Sequence, residues 1–259
     1  MSTITATTNQ KVKWIRKLQS QRSTRQEQGH FVIEGTRLLQ EALNAGAQVP
    51  LVLYAESSDE DTLKLIEGFT AHGSETLPAS NEVIQSCSDT ESPQGVLAVV
   101  KLPTKPSPVS DEPLLIVDRV RDPGNLGTLM RSAFAAGMAL MLLTPGTVDA
   151  LNPKVVRGAM GAHFYLRFQQ VEYADLSPYL RDKTLWIAEA NRGIRYDLSD
   201  WSQPCALLIG GEAHGPSNQI LTHDHQHVHI PINPEAESLN AAVAGSILMF
   251  DIARQRGFE

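Results

Sequence analysis

Hydrophobic positions follow two different patterns along the second half of the chain. Short stretches such as LLIVD, ALMLL, TLWIAEA and CALLIGGE are almost continuously apolar, and HVHIPI reads as a further strand. Such runs are typical of strands buried on both faces of a parallel sheet. Between them, NLGTLMRSAFAAG, NPKVVRGAMGAHF and LNAAVAGSILMFDIARQR carry apolar residues at helical spacing. The alternation predicts an α/β domain with a parallel sheet.

The first half predicts a smaller unit of the same class. KVKWIRKLQSQRSTRQ has Trp14, Ile15 and Leu18 among its charges and predicts one amphipathic helix. Helices are also expected in TRLLQEALNAG, with Thr36 as its cap, and in DEDTLKLIEGFTAHG, whereas HFVIEG, VPLVLYAES and QGVLAVV predict strands. We therefore expect a small αβ sandwich.

A proline-rich segment separates the two halves. LPTKPSPVSDEP contains four prolines in twelve residues, which is incompatible with a helix or a central strand. The predicted organisation is a first domain at 1–101, a linker at 102–113 and a second domain at 114–259.

Composition indicates the cell compartment in which the protein works. Apolar residues make up 42% of the chain, enough for a real core, and no apolar run is long enough to span a membrane. The start of the chain lacks the apolar segment of a signal peptide. Cysteine occurs only at Cys87 and Cys205, which excludes a disulfide framework and favours a reducing cytosol. We expect a cytoplasmic protein with no membrane partner.

Charge is distributed unevenly. The net charge is −7, yet the first 25 residues contain no acid and six cations: Lys11, Lys13, Arg16, Lys17, Arg22 and Arg25. A basic arm on an acidic body indicates a phosphate-rich partner such as RNA. A solvated helix face explains the same residues equally well.

Several ligand classes lack their sequence patterns. No predicted strand is followed by G-x-G-x-x-G, and neither a P-loop nor a G-x-S-x-G elbow occurs. His223, His225, His227 and His229 alternate along one segment, but a single row is too linear to surround a metal. We place His223 and His225 in a polar approach to the strand and expect no metal.

Three polar turns each follow a predicted strand: DPGNLGTLMR, IGGEAHGPS and IPINPEAESLN. Because carboxyl ends of parallel strands share one edge, these turns are expected to converge on one pocket. They offer amides, an arginine and free backbone N–H groups, but no cysteine nucleophile. Such a set is suited to positioning the groups of a ligand by hydrogen bonds and to holding a phosphate with Arg131.

In this order and spacing, the turns resemble motifs 1, 2 and 3 of the SpoU (TrmH-like) RNA ribose 2′-O-methyltransferases of the SPOUT superfamily. The matching patterns are N-x-G-x-x-x-R, G-x-E-x-x-G and I-P…S-L-N. GHFVIEGTRLLQEAL also resembles the start of the substrate-binding domain found in many members. The resemblance implies a C-terminal trefoil knot, homodimers, S-adenosylmethionine as methyl donor and ribosomal RNA as the favoured substrate.

The same resemblance assigns roles to residues. It implies an active site containing Asn125, Arg131, Glu212, Ser238 and Asn240. It also implies contacts from Gly210, Ile230 and Leu239 to S-adenosylmethionine, and RNA binding by the first domain through its six N-terminal cations.

Structural alternatives stand beside several of these roles. Asn125 is also suited to capping a helix, and Ser238 to capping the last helix. Ile230 and Leu239 are also suited to core packing. Glu212 is placed to orient either Arg131 or Asn125.

Two positions depart from the family pattern: Pro234 stands where motif 3 usually has glycine, and Ala159 where serine is frequent. Since the loop length is unchanged, we expect Pro234 to be accommodated. The competing functions are a tRNA ribose methyltransferase and a non-catalytic RNA-binding or ribosome-assembly protein on the same scaffold.

Overall fold

The structure is a computed structural model that describes residues 3–102, 111–211 and 215–257. Its strands are β1 (His30–Glu34), β2 (Leu51–Ala55), β3 (Glu75–Ala79), β4 (Val96–Lys101), β5 (Leu114–Asp118), β6 (Leu140–Leu143), β7 (Phe168–Gln170), β8 (Thr184–Ala188), β9 (Ile194–Arg195), β10 (Cys205–Gly210) and β11 (His225–His229). Its helices are α1 (Gln10–Ser20), α2 (Arg22–Gln28), α3 (Thr36–Asn44), α4 (Glu60–Ala71), α5 (Asn81–Cys87), α6 (Pro123–Ala135), α7 (Pro153–Ala159), α8 (Ser177–Leu180) and α9 (Ala241–Gln255).

The chain divides into two compact units. The first contains the described residues up to 102 together with Leu151–Phe164, and the second contains 111–150 and 165–257. The segment Leu151–Phe164, which carries α7, thus groups with the N-terminal unit although it follows β6 in sequence. The boundaries 1–101, 102–113 and 114–259 stay a prediction.

A four-stranded mixed sheet organises the first unit. Its order is β1-β4-β2-β3, with β4 antiparallel to both neighbours and β2 parallel to β3. One face packs on α1 and α5, in a cluster that includes Ile15, Leu18, Leu53 and Leu97. Because side chains alternate along a strand, the intervening residues face the other side, where α3 and α4 pack.

The helix expected from KVKWIRKLQSQRSTRQ is two helices. α1 buries the stripe Val12, Ile15 and Leu18, then ends before Gln21, whose backbone is extended with φ −119° and ψ 113°. The prediction that Thr36 caps α3 is wrong. Gly35 holds the N-cap position with φ +92° and Thr36 is the first helical residue.

A seven-stranded parallel sheet organises the second unit, as predicted for this half. The order is β7-β6-β5-β10-β8-β11-β9. Every residue of β5, β6 and the span Cys205–Ile209 is buried, as expected for central parallel strands. α6 and α9 contact each other. The α/β class with a parallel sheet is confirmed, and the trefoil knot stays a prediction.

Candidate active site

The three polar turns do follow strands of one parallel sheet. β5 and β10 are adjacent, with Asp118 paired to Gly210, and β8 separates β10 from β11. The carboxyl ends of all four strands therefore lie on one edge. This edge carries the segments expected to form the site.

Asp118 links several segments at this edge through buried hydrogen bonds. Its carboxylate is fully buried and accepts hydrogen bonds from the hydroxyls of Thr144 at 2.6 Å and Tyr173 at 2.7 Å. Its other oxygen accepts from the backbone N–H of Ser217 at 2.6 Å. One side chain thus joins the end of β5 to the residue after β6 and to the segment after β10. Sequence reasoning assigned it no role.

Arg119 has a left-handed backbone conformation and makes further hydrogen bonds at this edge. Its φ is +59°, which is uncommon for a residue with a Cβ. Its guanidinium donates to the carbonyl of Gly215 at 2.9 Å, and its N–H donates to the hydroxyl of Thr147 at 3.0 Å. A Cβ at Gly211 would lie 2.5 Å from the carbonyl oxygen of Arg119, so this position requires glycine.

A cavity of about 480 Å³ opens at the same edge. Its lining includes Gly210, Ile230, Ser238 and Leu239, so the structure brings these four predicted residues together. Ile209, Val228 and Leu248 add apolar wall. A cavity of this size, mostly apolar with a few polar groups, is typical of sites for small organic molecules.

Gly210 has a local reason to be glycine. A Cβ at this position would lie 2.9 Å from the carbonyl carbon of Gly215 and from the nitrogen of Pro216. The backbone of the motif 2 turn therefore folds back closely on the end of β10. Here the missing side chain makes room for the chain itself at the wall of the cavity.

Glu189, Asn191 and Arg192, directly after β8, supply polar lining that sequence reasoning missed. A carboxylate oxygen of Glu189 lies 3.4 Å from Nδ1 of His227 and 4.0 Å from Nη1 of Arg192. Burial lowers the pKa of the His227 imidazole, partly opposed by the nearby Glu189 carboxylate. The available signal was the position of Glu189 immediately after the apolar run TLWIA.

Motifs 1 and 3 meet through a side-chain hydrogen bond. The amide nitrogen of Asn240 donates to the amide oxygen of Asn125 at 2.9 Å. Asn240 also caps α9, because its oxygen accepts from the N–H groups of Ala242 and Val243. Ser238 is therefore not the cap of this helix.

Asn125 is not a helix cap either. Asp122 caps α6, and its carboxylate accepts from the backbone N–H of Asn125 at 2.8 Å. The Asn125 side chain is left to meet Asn240, next to Leu239 in the cavity wall. Of the two interpretations of Asn125, the structure removes the capping one.

Arg131 lies on the exposed side of α6 and does not line the cavity. Among the described residues it makes no hydrogen bond or ion pair. Its guanidinium is thus accessible to an external anion. Glu212, the remaining residue of the expected active site, lies outside the described residues.

Comparison with known proteins decides the family. A family model described as the SpoU rRNA Methylase family matches residues 112–250, and an MRM3-like substrate binding domain matches residues 9–98. The chain belongs to the SpoU rRNA methylase family. The resemblance recognised from the three motifs is confirmed.

Relatives of this SpoU chain match it over nearly its full length. It is 34% identical to the 23S rRNA (guanosine(2553)-2′-O)-methyltransferase RlmP of Bacillus subtilis, covering 97% of this chain and 99% of that protein. It is 32% identical to the mitochondrial rRNA methyltransferase 3 of Homo sapiens, covering 90% of this chain and 70% of that protein.

Solved structures of similar proteins share the fold. An AdoMet-bound rRNA methyltransferase from Sinorhizobium meliloti superposes with a TM-score of 0.87 at 29% identity, covering 98% of this chain and 97% of that one. The SpoU methyltransferase AviRb from Streptomyces viridochromogenes, in complex with AdoMet, gives 0.88 at 27% identity, covering 96% and 98%.

The six N-terminal cations of the SpoU chain differ in their surroundings. Lys13, Arg16, Lys17 and Arg22 are exposed, whereas Lys11 forms an ion pair with Glu75.

Arg25 requires a correction. It is only 3% exposed, and its guanidinium donates to the carbonyls of Leu18 at 2.6 Å and Gln19 at 3.2 Å. In this conformation it ties α2 to the end of α1 and is not available as the phosphate contact expected from the sequence.

The histidine row is more regular than expected. β11 begins at His225, so His225 belongs to the strand and not to a polar approach. The rings of His225 and His227 lie 4.9 Å apart, and His229 contacts the carbonyl of Gly193 at 3.1 Å. Nowhere in the described part of the chain do three or more His, Cys, Asp or Glu side chains gather as metal ligands would.

None of the described helices has the length and hydropathy needed to cross a bilayer.

The two departures from the family pattern are both accommodated. Pro234 occupies the second position of a turn in which Ala236 N–H donates to the carbonyl of Asn233 at 2.9 Å. Proline favours that position because its φ is already fixed there. Pro234 is exposed and does not line the cavity. Ala159 is fully buried at the end of α7 in the first unit.

Proposed function

We propose that this protein transfers a methyl group from S-adenosylmethionine to a ribose 2′-hydroxyl of RNA, with ribosomal RNA as its substrate. One observation carries the proposal. The cavity wall residue Leu239 is adjacent in sequence to Asn240, which is bonded to Asn125 of motif 1. A pocket for a methyl donor and polar groups for an acceptor thus adjoin each other.

The cavity suits S-adenosylmethionine in size and chemistry. Its apolar wall from Ile209, Ile230 and Leu239 matches an aromatic base, and Glu189 and Ser238 offer oxygens to polar or cationic groups. Gly210 would contribute through backbone atoms. When bound, this cofactor supplies a methyl group activated by a positively charged sulfur.

The residues of the chain position and stabilise the acceptor. We assign Asn125, Asn240 and Ser238 to hydrogen bonds that orient the ribose beside the cavity, because two of them are already linked and the third lines it. Glu212 is assigned to the same site by its place in motif 2. The polar groups of this set act through hydrogen bonds, and alignment is the main contribution expected.

Arg131 is assigned to the charge that develops on the 2′-oxygen and to the neighbouring phosphate. The 2′-oxygen would accept the methyl group that the cofactor supplies, with the electron pair of the carbon–sulfur bond left on sulfur and the hydroxyl proton passing to water. A permanently charged guanidinium favours the electron-rich oxygen in this process and is unsuited to accept the proton itself.

RNA affinity is assigned to the first unit and assembly to the second. Exposed Lys13, Arg16, Lys17 and Arg22 are suited to phosphate contacts. Val243 and Phe250 of α9 are 47% and 50% exposed and share one helix face, which supports a homodimer. A cytoplasmic location fits an RNA substrate and two free, buried cysteines.

A ribose-methylation map of total RNA tests the activity and the substrate class. Deleting the gene should remove 2′-O-methylation from one or a few positions of ribosomal RNA. The wild-type gene should restore it, whereas an Arg131→Ala gene should not. Loss confined to tRNA would contradict the substrate class, and an unchanged map would contradict the activity.

A further inference from the structure

A groove of about 720 Å³ lies in the first unit beside α1. One wall comes from α1, and the other from Gln28 and the end of α5 with the residues after it. We call it the α1–α5 groove; the lining used below is Lys13, Trp14, Arg16, Lys17, Gln19 and Asp89.

The groove is positively charged. Lys13, Arg16 and Lys17 are exposed and, within the residues that the structure describes, form no ion pair. The one acid of the lining is already neutralised, because the Asp89 carboxylate accepts from the guanidinium of Arg157 at 2.9 Å. An anion entering the groove would therefore meet three free cations.

An aromatic ring lies among these cations. Trp14 is half-buried, its indole N–H donates to the amide oxygen of Gln28, and its ring meets the edge of His30 with centroids 5.5 Å apart. These contacts hold the indole in place while part of it lines the groove. Trp186 and Trp201 are only 4% and 0% exposed, so Trp14 is the tryptophan whose ring an external ligand can reach.

Gln19 adds a polar side chain with an unsatisfied amide oxygen to the same wall. The amide nitrogen of Gln19 donates to the carbonyl of Cys87 at 3.2 Å, which directs the amide. Its amide oxygen is buried and has no hydrogen-bond partner among the described residues. A buried acceptor without a partner is unfavourable unless something supplies a donor.

We propose that the α1–α5 groove binds a single-stranded RNA segment, with its phosphates on Lys13, Arg16 and Lys17 and one unstacked base against Trp14. The combination of a cationic track with an aromatic platform is how proteins hold unpaired nucleotides. A volume within the roughly 300–1,000 Å³ of small-molecule sites suits one or two nucleotides and not a duplex. The proposal rests on RNA being the substrate and names the form in which this unit binds it.

Anisotropy of 5′-fluorescein-labelled hexauridylate, titrated with the full chain, tests the groove. Trp14→Leu should weaken binding about 10-fold, since loss of one stacked base typically has that scale. The double variant Lys13→Gln/Lys17→Gln should weaken it and lower the slope of log affinity against log salt by about 1.4, the value for two lost contacts to single strands. Unlabelled hexauridylate should also quench the tryptophan emission of the wild type.

The matched control is Arg37→Gln/Lys64→Gln, which removes two exposed cations from α3 and α4 on the other face of the sheet. It should bind as the wild type does. Trp14→Phe keeps an aromatic ring and should bind within about threefold of the wild type. If Trp14→Leu does not fold, the test of Trp14 is the quenching of tryptophan emission by hexauridylate, which should be present in the wild type and absent in Trp14→Phe.

Equal affinity of the wild type and Lys13→Gln/Lys17→Gln, or tighter binding of a 12-base-pair RNA duplex with no effect at Trp14, would overturn the proposal. S-adenosylmethionine binding, measured on the same variants by calorimetry, should be unchanged. If cofactor binding and methyl transfer persist while the groove variants bind hexauridylate normally, the groove assignment fails and the proposed activity stands.

Discussion

Asn240 has two separable functions at the scale of single residues. Its side-chain oxygen caps α9 and its side-chain nitrogen donates to Asn125. Asn240→Ala removes both and should lower the free energy of unfolding by about 1 kcal/mol. Asn240→Asp keeps the capping oxygen, and its negative charge interacts favourably with the positive end of the helix dipole. It loses the side-chain N–H that donates to Asn125.

Urea denaturation and methyl transfer should therefore separate the two variants. We expect Asn240→Asp to unfold within about 0.5 kcal/mol of the wild type, the usual scale of a neutral surface change. Its turnover should nevertheless fall as far as that of Asn240→Ala. Full turnover in Asn240→Asp would show that the contact with Asn125 does not position the site.

Arg131 is expected to act on the reacting oxygen and not on the cofactor. Arg131→Ala should reduce turnover by about two orders of magnitude at saturating cofactor, the usual scale for losing one charge stabiliser. Its affinity for S-adenosylmethionine should stay near that of the wild type, because Arg131 does not line the cavity. Arg181→Ala, at another exposed arginine of the second unit, is the control and should retain activity. Near-normal turnover in Arg131→Ala would contradict the assigned role.

Sequence reasoning found the residues that lie within motifs and missed those that act between them. Gly210, Ile230, Ser238 and Leu239 were predicted together and line one cavity. Asp118 was missed because its partners Tyr173 and Ser217 lie 55 and 99 residues away along the chain. No local pattern reports such a contact.

Elements of the second unit were predictable because packing and local preference agree there. β6 is apolar throughout, β5 is apolar up to Asp118 and β10 up to Gly210, and α9 follows a continuous helical pattern. β3 was missed because ETLPA contains a proline and little hydrophobic character, which an edge strand tolerates. The break between α1 and α2 falls at Gln21, a residue with no breaking tendency of its own.

β10 places an ionisable thiol in the sheet. Burial raises the pKa of Cys205 to about 11, with a smaller opposing effect from Arg256 and Lys183. An unfolded chain loses this proton near pH 8.5, so above that pH the folded state holds more protons than the unfolded state. The free energy of unfolding should then fall by about 1.4 kcal/mol per pH unit from this group, up to the folded pKa.

Cys205→Ala isolates this contribution from other titrating groups. Urea midpoints between pH 7 and 10.5 should fall more steeply for the wild type than for the variant. Below pH 8 the two profiles should run parallel, because the thiol is protonated in both states there. Parallel profiles across the whole range would mean that Cys205 titrates normally in the folded protein.

At the scale of the whole molecule, we expect a homodimer formed by the second unit. Light scattering at micromolar concentration should give twice the chain mass of 28.3 kDa. Val243→Glu/Phe250→Glu places charges on the exposed apolar face of α9 and should give monomers. Leu63→Glu, at a residue of the first unit that is 41% exposed, should leave the dimer intact. A monomeric wild type would contradict this expectation.

Global organisation was the least predictable scale. The proline-rich segment predicts a boundary between two domains, but nothing local indicates that Leu151–Phe164 groups with the first unit. Its Phe164 stacks on Phe31 of β1 with centroids 6.5 Å apart, a contact across more than half of the chain. A knot is likewise a property of chain threading, which hydrophobic periodicity does not encode.

Methyl transfer to RNA in the presence of EDTA tests the central claim most directly. Purified protein, S-adenosylmethionine labelled in its methyl group and ribosomal RNA from a strain lacking the gene are combined, and the RNA is digested to nucleosides. We predict label in a 2′-O-methylated nucleoside, undiminished by EDTA because the site relies on alignment and charge. Label on a base, no label in RNA, or transfer that EDTA abolishes and a divalent ion restores would contradict the account.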